Sequence, residues 1–221
     1  MKQISMTVSV LSRAIALLAC VACAEGDGDA ALSDGADESM PDMHLVAFDA
    51  EVARAHGYDV VTLPDGSAAS VPADQARAAR DGDFVPMTGV LPPEHDGAEP
   101  GLTEKGYAEV PGECGVSNVA LSAEGFSQAT LQSGFRLDPD AGNVWDVNWN
   151  VTIADDGGVS SQHFEEGNGM NAGGSWLSDR RLLSLTRGTA FATVQWYSSY
   201  VITTHGWFCY SYGPTAVETI W

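Results

Sequence analysis

The sequence predicts an all-β chain, an antiparallel sandwich or barrel of about eight strands with a small N-terminal helix/hairpin appendage. Three observations carry that expectation. From Tyr107 onward the apolar and polar residues alternate with a period of two, the signature of half-buried strands. Turn-forming clusters such as Pro139-Asp140-Ala141-Gly142, Asp155-Asp156-Gly157-Gly158 and Gly167–Gly174 interrupt the alternation at short intervals. All six tryptophans lie after residue 106, which puts the large apolar side chains of a core in the second half.

The clearest strand is Asn143 to Ile153, where Trp145, Val147, Trp149, Val151 and Ile153 fall on one face and Asp146, Asn148, Asn150 and Thr152 on the other. Val116–Ser122, Phe126–Phe135, Gly158–Phe164, Arg181–Thr186, Thr189–Tyr197, Tyr200–His205, Trp207–Tyr212 and Ala216–Trp221 are further strands rich in Val, Ile, Thr and aromatics. They define a β-domain over residues 106–221.

Ahead of it, residues 44–85 read as a helix/hairpin segment. Asp49 to Gly57 has acids in its first turn and a glycine stop, the marks of a short helix. Tyr58–Leu63, Pro64-Asp65-Gly66-Ser67 and Ala68–Val71 form strand, turn and strand, and Pro72–Arg80 suits a second short helix. This piece is too small to hold itself together, so it is expected either to dock on the β-domain or to act as a detachable pro-segment. Residues 86–105, with Pro86, Pro92, Pro93 and Pro100, are expected to be a linker. Residues 25–43 are Gly-, Asp- and Ala-rich without apolar periodicity, as in a disordered acidic tether.

Residues 1–24 read as an export signal. Lys2 and Arg13 are their only charges, and the apolar run Ala14–Ala22 is too short for the ~20 residues of a membrane-spanning helix. Two processing readings stand side by side. Ala22-Cys23-Ala24 suits ordinary cleavage before Glu25, whereas a cysteine after small apolar residues suits a lipobox. In the lipobox reading, Leu17-Leu18-Ala19-Cys20 is the better sequence match and Cys23 the better match in length, so Cys23 or Cys20 would carry the acyl chain. The expected location is extracytoplasmic, as a cell-envelope lipoprotein or a secreted protein, with membrane contact only through that anchor.

The formal net charge of −20 argues against nucleic-acid binding, which requires clustered Lys and Arg. Residues 25–105 hold 18 acids and four bases, net −14, and residues 106–221 hold 12 acids and four bases, net −8. Cys114 and Cys209, near the two ends of the β-domain, are expected to form one disulfide in an oxidising compartment. Closing a loop of that length would stabilise the fold by up to ~4.5 kcal/mol in the chain-entropy model.

Candidate chemistry is sparse. Asp138–Gly142 begins like a calcium loop, but Gly142 and Trp149 stand where the EF-hand pattern needs oxygen ligands, so it reads as a turn. No metal or cofactor motif appears, and there is no nucleophile elbow, zinc-protease helix or phosphate loop. His163 and Glu165 share a strand face, and His205 sits at a strand end; these are the candidates for acid–base work in a spatially assembled hydrolase site. Asn150-Val151-Thr152 matches a glycosylation sequon but lies inside a strand. Trp207, Tyr210 and Tyr212 belong to an aromatic run able to stack on sugar rings, which makes them the candidate binding residues.

Gly106-Tyr107-Ala108-Glu109-Val110-Pro111-Gly112-Glu113-Cys114-Gly115-Val116-Ser117 resembles the opening of a β-domain in secreted proteins of Gram-positive, high-GC bacteria. The resemblance extends through Gly173-Gly174-Ser175-Trp176 and the late Cys209. It implies a β fold and a disulfide and no activity. The function expected from all of this is a non-enzymatic, envelope-associated or secreted β-domain that binds a glycan or a surface protein. The alternatives are a hydrolase of an extracellular or envelope polymer, working through His163 or His205, and a purely structural surface protein.

Overall fold

The structure, a computed structural model, describes residues 43–91, 106–166, 173–196 and 198–221. The export signal with Cys20 and Cys23, the acidic tether up to residue 42, residues 92–105 of the linker, the glycine-rich 167–172 segment and Tyr197 lie outside the described residues.

Two antiparallel sheets form the β-domain, as alternation predicts. The smaller consists of β5 (Tyr107–Gly112), β6 (Gly115–Gly125) and β7 (Gln128–Leu137), with β10 (Ser175–Leu177) and β11 (Arg181–Ser184) following each other along the free side of β7. The larger consists of β8 (Val144–Asp155), β9 (Gly158–Glu166), β12 (Gly188–Val194), β13 (Tyr200–Thr203), β14 (Trp207–Ser211) and β15 (Thr215–Ile220). Its seventh strand, β1 (Met43–Phe48), comes from the N-terminal segment and pairs with β14.

The larger sheet is simpler than its strand count suggests. β12 and β13 both run antiparallel to β8, β12 against Ala154–Val151 and β13 against Asn148–Val144, so they are two halves of one line. β15 and β14 accompany them in the same way. The chain from 188 to 220 is therefore one long hairpin with a break on each arm, at 195–199 and at 212–214. The breaks are tied together where Ser211 N donates to Ser199 O (2.9 Å) and Val194 N to Pro214 O (3.1 Å).

Between the sheets, Trp149 from β8 meets Phe135 at 5.2 Å and Trp176 at 6.0 Å, all three buried. An indole taken out of water needs a partner for its N–H. Trp149 Nε1 donates to Ser133 Oγ (2.8 Å), which donates on to Asn118 O (2.7 Å), so the one polar atom of the central ring is satisfied across the sandwich. Cys114, in the turn between β5 and β6, is bonded to Cys209 of β14 with their Cα atoms 6.2 Å apart, joining the two sheets.

Two details depart from the pattern. Trp145 does not share the inward face of Val147, Trp149, Val151 and Ile153. Ile202 pairs with Asp146 and Thr203 with Val144, so Trp145 is the extra residue of a β-bulge and turns out to pack on His56 at 4.6 Å. Phe126 and Ser127 are not strand either. They form the two-residue turn between β6 and β7 with φ of 53° and 60°. That left-handed geometry suits the twist of a tight hairpin, but these residue types give no sequence signal for it.

The appendage contains α1 (Ala50–Ala55), β2 (Tyr58–Thr62), β3 (Ala68–Pro72), α2 (Ala76–Asp81) and β4 (Val90–Leu91). Asp49 caps α1, its Oδ1 accepting from Glu51 N and Val52 N at 2.9 and 3.0 Å. Its own core is small: Val61, Leu63, Ala69, Val71, Ala76 and Ala79. The appendage is docked. Met43 and Leu45 of β1 are buried in the main core, Cys114 N donates to Met43 O (2.8 Å), and Asp49 N donates to Gly206 O (2.7 Å). A Cβ on Gly206, whose φ is +75°, would come within 2.4 Å of Asp49 O, so this close approach requires glycine. β4 pairs with β3 and makes a separate three-stranded sheet with the β2–β3 hairpin, at a place where composition suggested only linker.

Candidate functional site

The outer face of the larger sheet carries polar and aromatic side chains from five strands. Strand register puts Glu165, Asn148, Tyr200, Tyr210 and His44 in one row across β9, β8, β13, β14 and β1. With neighbouring strands ~4.8 Å apart, Glu165 and Tyr210 lie about 14 Å from each other along the row. His44 at its far end is buried against Tyr212 (4.3 Å) and stands 3.6 Å from Glu113. A second row holds Asp146, Ile202 and Phe208.

Aromatic and amide groups lie side by side on this face. Tyr200 stacks on Phe208 at 4.6 Å, and Tyr210 meets Tyr200 edge-on at 5.9 Å. All three rings are half-buried. Beside them Asn150 Nδ2 donates to Asn148 Oδ1 (2.9 Å) and Ser198 O (2.7 Å). The Asn150 Oδ1 is thus turned to accept from His163 Nδ1 (2.8 Å). In the neutral ring the proton therefore sits on Nδ1, and Nε2 faces Glu165 Oε2 at 3.6 Å. The broken strand contributes too: Ser198 Oγ donates to Gln195 Oε1, and Gln195 Nε2 to Thr152 Oγ1. Neither row contains a Lys or Arg.

The sequence-predicted residues separate into three places. His163, Glu165 and Tyr210 share this face, the first two side by side on β9 and Tyr210 three strands away on β14. Trp207 and Tyr212 do not join them. Trp207 is on the inner face of β14 at 4 % exposure, and Tyr212 lies past the strand end at 5 %, packed on His44 and Trp196. Strand parity explains the first, and the break at 212–214 the second. His205 is elsewhere again, at the seat of the appendage. Its Nδ1 donates to Asp140 O (2.9 Å), and Tyr58 lies on its ring at 3.9 Å. Burial holds the His205 imidazole below the ordinary histidine pKa, against the opposing pull of the Asp140 carbonyl and carboxylate. A pocket of about 260 Å³ opens there between Tyr58, Ser70, Thr88, Asp140 and Trp207.

Among the described residues, neither His163 nor His205 hydrogen-bonds a Ser, Thr or Cys side chain. Asp138–Gly142 forms a 3-10 turn over Pro139–Ala141. Tyr200 and Phe208 belong to the same aromatic run as Tyr210, whereas Asn148 and Asn150 join the face without a binding signal in the sequence. Their alternation was visible strand by strand, and only the register aligns them. Comparison with protein-family models, with curated proteins and with solved structures finds no match for the chain.

Proposed function

We propose that the chain is an extracytoplasmic, non-enzymatic binding module, and that the outer face of its larger sheet holds a neutral glycan. The observation that carries this reading is the row Glu165–Asn148–Tyr200–Tyr210 beside Phe208. Sugar rings present apolar C–H faces and equatorial hydroxyls, and half-buried aromatics next to amides and carboxylates answer both. The lack of Lys and Arg on the rows favours an uncharged ligand over an anionic polymer. The buried disulfide is consistent with maturation in an oxidising compartment.

The test is titration of the full-length protein with neutral oligosaccharides from cell-envelope and extracellular polymers, followed by amide and side-chain NMR. Shifts should concentrate at Asn148, Asn150, Tyr200, Phe208 and Tyr210, and Tyr200→Ala should weaken binding about tenfold, a loss of about 1.4 kcal/mol. Shifts confined to other surfaces, or binding unaffected by Tyr200→Ala, would overturn the reading.

A further inference from the structure

Trp149 and Trp207 are both buried indoles, but they differ in what their N–H groups meet. Trp149 Nε1 donates across the sandwich, whereas Trp207 Nε1, in a side chain 4 % exposed, has no hydrogen-bond partner among the described residues. Leaving a buried donor unpaired is costly, and it marks a place where a water or a ligand belongs. The chain that covers the ring is Pro86-Met87-Thr88-Gly89. A Cβ on Gly89 would lie 2.6 Å from Trp207 Cε2, the carbon bonded to Nε1, so this strap rests against the N–H edge of the indole. It offers that edge no acceptor.

The strap is lightly held. Among the described residues no backbone hydrogen bond fixes Val85–Thr88, and Val85 and Met87 are 74 % and 97 % exposed. Weak local constraint of this kind is what allows a segment to open without unfolding the rest. Two cavities meet at the strap. One of about 260 Å³ reaches Tyr58, Asp140 and His205, and one of about 320 Å³ reaches Leu45 and Glu113. Met87, Thr88 and Trp207 line both.

Hydrogen-bonding sense says what fits. His205 Nδ1 is committed to Asp140 O (2.9 Å), so in the neutral imidazole that burial favours, Nε2 carries a lone pair to which no described residue donates. The smaller cavity is thus lined by an unused donor, on Trp207, and an unused acceptor, on His205. Asp140 and Glu113 line the two cavities and no Lys or Arg does, which disfavours an anion. A cation would suit the carboxylates but has no lone pair for the indole. A neutral secondary amide has both halves, a carbonyl that accepts and an N–H that donates. We propose that the cleft under the Pro86–Gly89 strap binds a small neutral N-acyl amide, carried by an amino sugar or by an acylated amino acid. The strap lifts, the amide carbonyl accepts from Trp207 Nε1, and the amide N–H donates to His205 Nε2. The acyl group lies against Phe84, Pro86 and Pro139, which line the same cavity. The site is at the seat of the appendage and does not rest on the glycan reading of the outer face.

The experiment titrates the full-length protein with N-acetylglucosamine, with N-acetyl-L-alaninamide and with glucose, a control that has no amide. The Trp207 indole N–H resonance, assigned by its proximity to Gly89, should move downfield and saturate with at least one of the two amides. The backbone amides of Val85, Met87 and Thr88 should move with it, and glucose should leave all of them in place. The tighter of the two acetyl compounds identifies the source, a sugar or an acylated amino acid. Trp207→Phe keeps an aromatic ring and removes the donor, so affinity should fall at least tenfold. The indole titration on the unmodified protein decides the matter if that variant does not fold. An indole resonance that stays in place with both amides, as it would if water alone served it, would overturn the proposal. So would equal movement with glucose, or an affinity unchanged in Trp207→Phe.

Discussion

The sandwich closes around Trp149, Phe135, Trp176 and a disulfide, whereas the appendage closes around Val61, Leu63, Val71 and three alanines. Burial scales with side-chain size, about 25 cal/mol per Å² of apolar surface, so the two cores differ severalfold in what they contribute. A segment of that size with so small a core is marginal alone. Its order comes from its seat on the sandwich: β1 in the large sheet, Tyr58 on His205, and Gly89 against Trp207, where any Cβ would lie 2.0 Å from the ring. The sandwich holds the larger core, and the appendage takes its order from its seat on it.

The difference is most sharply broken from the sandwich side. Trp149→Ala removes the central ring and strands Ser133; we expect a loss of about 4 kcal/mol by denaturant titration, with both regions unfolding together. Survival of the appendage signal after the sandwich melts would refute the dependence. Next comes the disulfide. Cys114→Ser with Cys209→Ser should cost about 3 kcal/mol, again global, read as a drop in the urea midpoint. Val71→Ala acts on the other side. A cost of roughly 2 kcal/mol is expected, appearing as faster hydrogen exchange over β2 and β3 with β6 and β7 unchanged. Equal acceleration in both would mean that the two regions open as one.

The smallest effect concerns pH and the boundary itself. Burial lowers the His205 pKa in the folded state. The unfolded chain therefore binds the proton more readily, and stability rises with pH in that window. The contribution is complete above about pH 6.5, the unfolded value, and is lost as pH falls through the depressed folded value. His205→Gln should flatten the thermal-melting profile between neutral and mildly acidic pH relative to the parent. An unchanged profile would remove His205 from the account.

Much of this architecture was readable from local signals. The short helix within Asp49–Gly57, Pro64-Asp65-Gly66-Ser67 as a turn and the alternation of Val147 to Ile153 each rest on a few residues, and each holds. What escaped depends on a partner strand. The bulge at Trp145 exists because β13 sets a different register there, and β1 becomes a strand because β14 offers it an edge. The candidate face is the extreme case. Asn148, Tyr200 and Tyr210 are fixed by three separate pairings, and no spacing in the sequence encodes their alignment. His163 and Glu165 were recognisable because they sit two apart on one strand, and Trp207 was misjudged because an aromatic run does not say which face is covered.

The clasp of β1 also has a mechanical side. Leu45 lies opposite Cys209, and the backbone of Met43 accepts from Cys114, the other half of the same disulfide. A pull applied to the chain ahead of Met43 is thus delivered along β1, in shear against its hydrogen bonds to β14, at the point where the two sheets are covalently joined. Tension entering from the N-terminal side is passed to the strongest crosslink in the molecule before it reaches the small hairpin sheet. The sandwich and its outer face would keep their shape under a drag that an unclasped strand would transmit as peeling.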